Sequence, residues 1–123
     1  MSEYGIGMGD SILETIRKMI GGEENGDAFD LDLIVHINTV LEVLRQLGVG
    51  PEEGFFISGP SETWADFLGS DYDKFRACIT YMVLRVRLLF DPPNSSYAIE
   101  SFKKIQDELE WRLTVDVDER KNV

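Results

Sequence analysis

Cysteine, histidine and long apolar runs are all scarce in this chain, and each shortage removes a class of function. Cys78 is the only cysteine in 123 residues, so neither an intramolecular disulfide nor a cysteine-based zinc cluster can form. That fits a reducing compartment, and within a helical segment Cys78 reads as a small buried hydrophobe. No apolar stretch approaches the roughly 20 residues of a membrane helix, and the N-terminus has no basic start leading into an apolar run. The expectation is a cytoplasmic protein with no membrane partner.

Positive charge is also in short supply. Twelve basic residues face 23 acidic ones, a net charge of −11, and such a field repels nucleic acid unless the cations cluster. They are scattered: Arg17 and Lys18 near one end, Arg85 and Arg87 in the middle, Lys103 and Lys104 beside Asp107 and Glu108. Sequence-specific DNA binding is disfavoured. His36 is the only histidine, with Asp32 one helical turn earlier as its local partner. The paired Glu-x-x-His sequences of a helical di-metal site are missing. Spacing alone leaves a Cys78–His36 nucleophile pair open. However, both residues fall beside core positions, and no glycine-rich turn is placed to make an oxyanion hole. We therefore assign no catalytic, metal or cofactor residue.

What is present is helical periodicity. Ser11 and Glu14 have capping-box spacing for a short helix to about Ile20, where Gly21 and Gly22 end it. From Phe29 to Leu47, Leu33, Ile34, Ile37, Val40, Leu41, Leu44 and Leu47 form one stripe, with Asp27 or Asp30 as the expected cap. A central helix spans Tyr72 to Phe90, carrying Phe75, Ile79, Met82, Val83, Val86, Leu89 and Phe90 inward, and Asp91-Pro92-Pro93 stops it. A last helix begins near Ser95 or Ser96 and ends near Thr114, with Ala98, Phe102, Ile105, Leu109 and Leu113 inward. Glu100–Lys104 and Glu108–Arg112 are acid-first pairs on its solvated face. The fold class is mainly α, a small bundle of about four helices with a long central loop and an extended C-terminal tail. Residues 1–9 are expected to be a flexible Gly-rich arm, 10–114 the helical domain and 115–123 the tail.

Two stretches break the helical pattern. The connection from Gly48 to Thr63 is about 14 residues long, against the two to eight usual between bundle helices, and it carries Phe55, Phe56 and Ile57 in succession. Left wet, each forgoes roughly 1.5–3 kcal/mol, so they fold back on their own core or another chain covers them. Alternation would turn Phe55 and Ile57 inward and Phe56 toward a neighbour. Trp64, just beyond, reads as the plug of a short helical turn. The run Thr114-Val115-Asp116-Val117-Asp118 alternates like a half-buried strand, which could pair with the central loop, add to a partner's sheet edge, or fray.

Particular strings carry a family likeness. Phe29-Asp30-Leu31-Asp32, Val35-His36-Ile37-Asn38, Gln46 to Phe55 (QLGVGPEEGF), Glu62 to Gly69 (ETWADFLG), Val86 to Pro93 (VRLLFDPP) and Glu108 to Leu113 (ELEWRL) together resemble the head-tail connector family, also called adaptor or head-completion proteins, of long-tailed double-stranded DNA bacteriophages. The likeness covers Asp10 to Val117. It implies a structural virion protein of the neck, made in the bacterial host cytoplasm. Such a protein forms a homo-oligomeric, dodecameric ring on the portal protein, extends the DNA channel without sequence-specific binding, and receives a downstream neck or tail-completion protein. The resemblance also makes Phe55, Phe56 and Ile57 candidates for ring contacts and Val115 and Val117 candidates for portal contact. An acidic lumen would let DNA slide. From composition alone the competing reading is an acidic DNA-mimic inhibitor, with its carboxylates concentrated along one stripe; an enzyme built on His36 and Cys78 is a third.

Overall fold

Ile37, Val40, Leu41 and Leu44 recur at three- and four-residue steps, so a helix through them must bury one face, and all four are buried. The computed structural model describes residues 5–21 and 26–121. It contains α1 (Ile12–Met19), α2 (Asp30–Gln46), α3 (Trp64–Leu68), α4 (Phe75–Phe90) and α5 (Ser96–Lys121), with a 3₁₀ turn, Tyr72–Lys74, leading into α4. Among the described residues no strand forms, and Ser11 and Thr63 make an isolated antiparallel bridge. The mainly helical bundle expected from periodicity is the fold.

α4 is the hub, packing against α1, α2 and α5. The rings of Phe29 and His36, at the start of α2, lie 5.6 and 6.1 Å from Phe90 at the end of α4, so these helices run antiparallel. α5 returns along α4, with Arg85 reaching Glu110 at 3.5 Å and the Arg87 guanidinium over the Phe102 ring at 5.8 Å. α1 and α2 are clasped where one ends and the other begins. Arg17 donates through Nε and Nη2 to the Asp30 carboxylate, at 3.0, 2.8 and 2.7 Å.

That clasp explains one departure from expectation. Asp30 does not cap α2, and the N-cap, Phe29, makes no side-chain bond. A bidentate pair with a guanidinium is stronger than a single capping bond. Asp27 contributes its carbonyl, which accepts from the Asp30 N–H at 3.1 Å. At α1, Ser11 Oγ accepts from the Glu14 N–H at 3.2 Å. A reciprocal capping box stands at α3 instead: the Asp66 N–H donates to Thr63 Oγ1 at 3.1 Å, and the Thr63 N–H to Asp66 Oδ2 at 3.0 Å.

Both chain ends also differ from expectation. Residues 1–4 of the expected arm lie outside the described residues, but 5–9 are docked. The Ala65 N–H donates to the Met8 carbonyl at 2.7 Å, the Gly7 N–H to Asp10 Oδ2 at 2.8 Å, and Ile6 and Met8 pack on the core. At the other end α5 continues to Lys121, so the extended tail expected over 115–123 is helical through its described part. Leu109, Leu113 and Val117 are spaced four apart and share one helical face. Leu113 and Val117 are buried and Leu109 packs beside them. Lengthening a formed helix adds a hydrogen bond per residue, whereas a lone strand has no partner.

Candidate assembly surfaces

The central loop is built around glycines that permit close approach. Gly50 has φ +88°, and a Cβ there would lie 2.4 Å from the Phe67 ring, so the chain can pass directly over α3. Phe67 in turn meets Phe55, ring centroids 5.4 Å apart. Ile57 is buried, and Asn38 of α2 grips its backbone: the Ile57 N–H donates to Asn38 Oδ1 at 2.7 Å and Asn38 Nδ2 donates to the Ile57 carbonyl at 3.0 Å. With both neighbours anchored, Phe56 is turned out, 72% exposed. Phe55 and Ile57 therefore belong to the subunit's own packing, and Phe56 is presented to the surroundings beside α2.

The other two residues picked from the C-terminal run part company. Val117 is buried over Gly48, where φ is +92° and a Cβ would come within 2.8 Å of Val117 Cγ1. Val115 is half-buried. The tail thus meets the first residue of the central loop, but as a helix and not as a paired strand. Four residues with large exposed apolar side chains were not legible as such from the periodic stripes: Leu31 and Val35 on α2, Tyr97 and Trp111 on α5. The signal was available, since each falls outside the apolar stripe of its own helix. Leu89 and Ile105, both expected inward, are also exposed, at 50% and 44%.

Polar groups between the helices serve packing. Trp64 is fully buried, and its Nε1–H donates to Thr15 Oγ1 at 3.2 Å. Arg85 also donates to the Tyr81 hydroxyl at 3.0 Å. Lys74 is buried with Nζ 4.0 Å from Asp71 Oδ2. The Glu62 carboxylate is partly buried, which works to raise its pKa. Hydrogen bonds outweigh this and hold it below the usual range, among them those from the Ser58 N–H and hydroxyl, both at 3.0 Å.

Cys78 is enclosed in the core, and burial pushes its thiol up to about 12, with the Lys74 charge opposing and Asp71 adding. An attacking thiolate needs the reverse shift. Because the folded thiol ionises later than the unfolded one, its stabilising effect is complete below the unfolded value of 9.0 and disappears as pH rises toward about 12. Burial likewise pushes Tyr81 up to about 12. Urea midpoints should therefore fall across that alkaline window. The fall should be shallower in Cys78→Ala, and equal slopes would contradict the burial of the thiol.

Fold and surface together define a small helical protein whose outer faces carry large apolar side chains exposed among the described residues. The family model described as phage connector protein matches residues 12–120, and the chain belongs to that family. Comparison with curated proteins and with solved structures gives no match.

Proposed function

We propose that the chain is a structural neck subunit of a tailed phage. Copies assemble, as a dodecameric ring, on the portal protein at the head-tail interface, extend the channel through which the genome passes, and receive a downstream neck or tail-completion protein. It is made in the host cytoplasm and performs no catalysis. The observation that carries this reading is the pairing of a connector-family match with Phe56, held 72% exposed by two anchored neighbours. Val115, half-buried on the last turns of α5, is the available residue of the C-terminal run for contact with portal. Exposed carboxylates on several elements, Glu14, Asp32, Glu52, Asp66, Asp73 and Glu100 among them, give any lumen an acidic lining that repels phosphate. Their spread over so many elements argues against a single DNA-mimicking stripe.

Electron microscopy of the protein mixed with its portal protein tests the proposal: rings seated on portal are expected, and free monomer beside bare portal would refute it. Phe56→Ser should weaken assembly at least about tenfold, the scale of a lost interface anchor. Its melting temperature should barely move, because exposed positions shift stability by only about 0.5 kcal/mol. A large loss of monomer stability would instead place Phe56 in the core.

A further inference from the structure

We infer that neighbouring copies join through a heterologous contact: the outer face of α2 with Phe56 in one copy packs against the outer face of α5 in the next. This rests on the ring reading and names the surfaces that make the ring. α2 and α5 each pack on α4, and their outward faces have no cover among the described residues. On α2, Leu31 and Val35 are one turn apart, 76% and 57% exposed, and the exposed Phe56 precedes Ile57, whose backbone is held by Asn38, three residues after Val35. On α5, Tyr97, Lys104 and Trp111 recur every seven residues and so share one stripe, with Tyr97 84% and Trp111 66% exposed.

The two faces fit each other better than either fits itself. The α5 stripe from Tyr97 to Trp111 rises about 21 Å, and α2 offers a similar length from Leu31 to Gln46. Glu42 lies toward the C-terminal end of the α2 stripe, held by Arg45 at 2.6 Å, and a carboxylate has roughly four acceptor sites, enough for a further donor. Lys104 lies mid-stripe on α5, is exposed, and forms no ion pair among the described residues, so the expected Glu100–Lys104 pair is not made. Glu108 beside it is held by Arg112 at 3.0 Å, as Glu42 is by Arg45. Pairing α5 with α5 across a two-fold axis would set Lys104 near Lys104, and pairing α2 with α2 would bring no unpaired cation to Glu42. Pairing α2 with α5 brings opposite charges together. Contact between two different faces propagates in one direction and closes into a ring when the rotation allows.

The test places a photo-crosslinking amino acid at Val35 of the full chain, mixes isotopically labelled and unlabelled copies, assembles them with portal protein, irradiates and maps the products by mass spectrometry. Mixed-isotope links from Val35 to α5 between Tyr97 and Arg112 are expected. Links to α2 of another copy, or to the portal protein, would overturn the inference. Rings seen by microscopy with no such link would also overturn it while leaving the ring reading standing, whereas monomers with no rings would remove both. Independently, Lys104→Glu should weaken ring assembly at least tenfold with an unchanged melting temperature, and Lys104→Arg should assemble normally. Normal assembly of Lys104→Glu would remove the charge match from the argument and count against the pairing.

Discussion

Replacing Trp64 with alanine should lower stability by about 3–5 kcal/mol, the range for emptying a large aromatic site. At roughly 4 °C per kcal/mol for a chain of this size, the thermal midpoint falls by about 12–20 °C. Trp64 is fully buried and stacks edge-on against Phe75 at 5.9 Å. It also donates to Thr15 of α1 and opens α3, so it joins the two helices to α4 at one point. A domain rarely has more than about 5–15 kcal/mol in hand, which puts this variant near the edge of folding. Trp64→Phe should lose far less. It keeps an aromatic in place, and Thr15 retains the bond its hydroxyl donates to the Ser11 carbonyl at 2.7 Å. Trp111→Ala is the control: that ring is largely exposed, so its melt should stay within about 0.5 kcal/mol of the parent. Equal losses at the two tryptophans, measured by circular dichroism, would contradict the core-plug assignment.

How much of this was legible in the sequence follows from what each signal measures. Helical spacing records which face is buried, and for Leu33, Ile37, Val40, Leu41 and Leu44 on α2 and Ile79, Met82 and Val86 on α4 it named core residues. Alternation in Phe55-Phe56-Ile57 anticipated the in, out, in arrangement, because the loop runs extended across a surface. The same logic failed at Val115-Asp116-Val117. A two-residue alternation places Leu113 and Val117 on one side, and so does one turn of helix; only the neighbouring elements decide between them. Capping failed at Asp30 for a similar reason. The partner that outcompeted the backbone is Arg17, which no local window pairs with it. Docking of Ile6 and Met8 on the core, and the approach of Phe67 to Gly50, are likewise contacts between segments distant in sequence. On the candidate surfaces, the apolar residues of the loop and tail stand out from the helical pattern, whereas Leu31, Val35, Tyr97 and Trp111 do not, because helical spacing reports the buried stripe and is silent on what the opposite face meets.

Truncation after Leu113 should destabilise the fold as well as shorten the tail. A detached, extended tail could be removed at no cost to the helical core, but Val117 is buried against Gly48 and tethers the start of the central loop to α5. Losing that burial costs about 2 kcal/mol, or about 8 °C in melting temperature. The loop should loosen with it, since Gly48 and Gly50 lead directly to the Phe67–Phe55 pair. An unchanged melt would mean that the last turns of α5 contribute nothing to the subunit. Two point variants separate the structural role of this segment from the assembly role proposed for it. Val117→Ser should show most of the truncation's thermal loss. Val115→Ser, at a half-buried position two residues away, should melt near the parent temperature yet bind portal protein less tightly. If Val115→Ser binds as well as the parent at a temperature where both are folded, the C-terminal turns act only within the subunit, and portal recognition must be sought on another face.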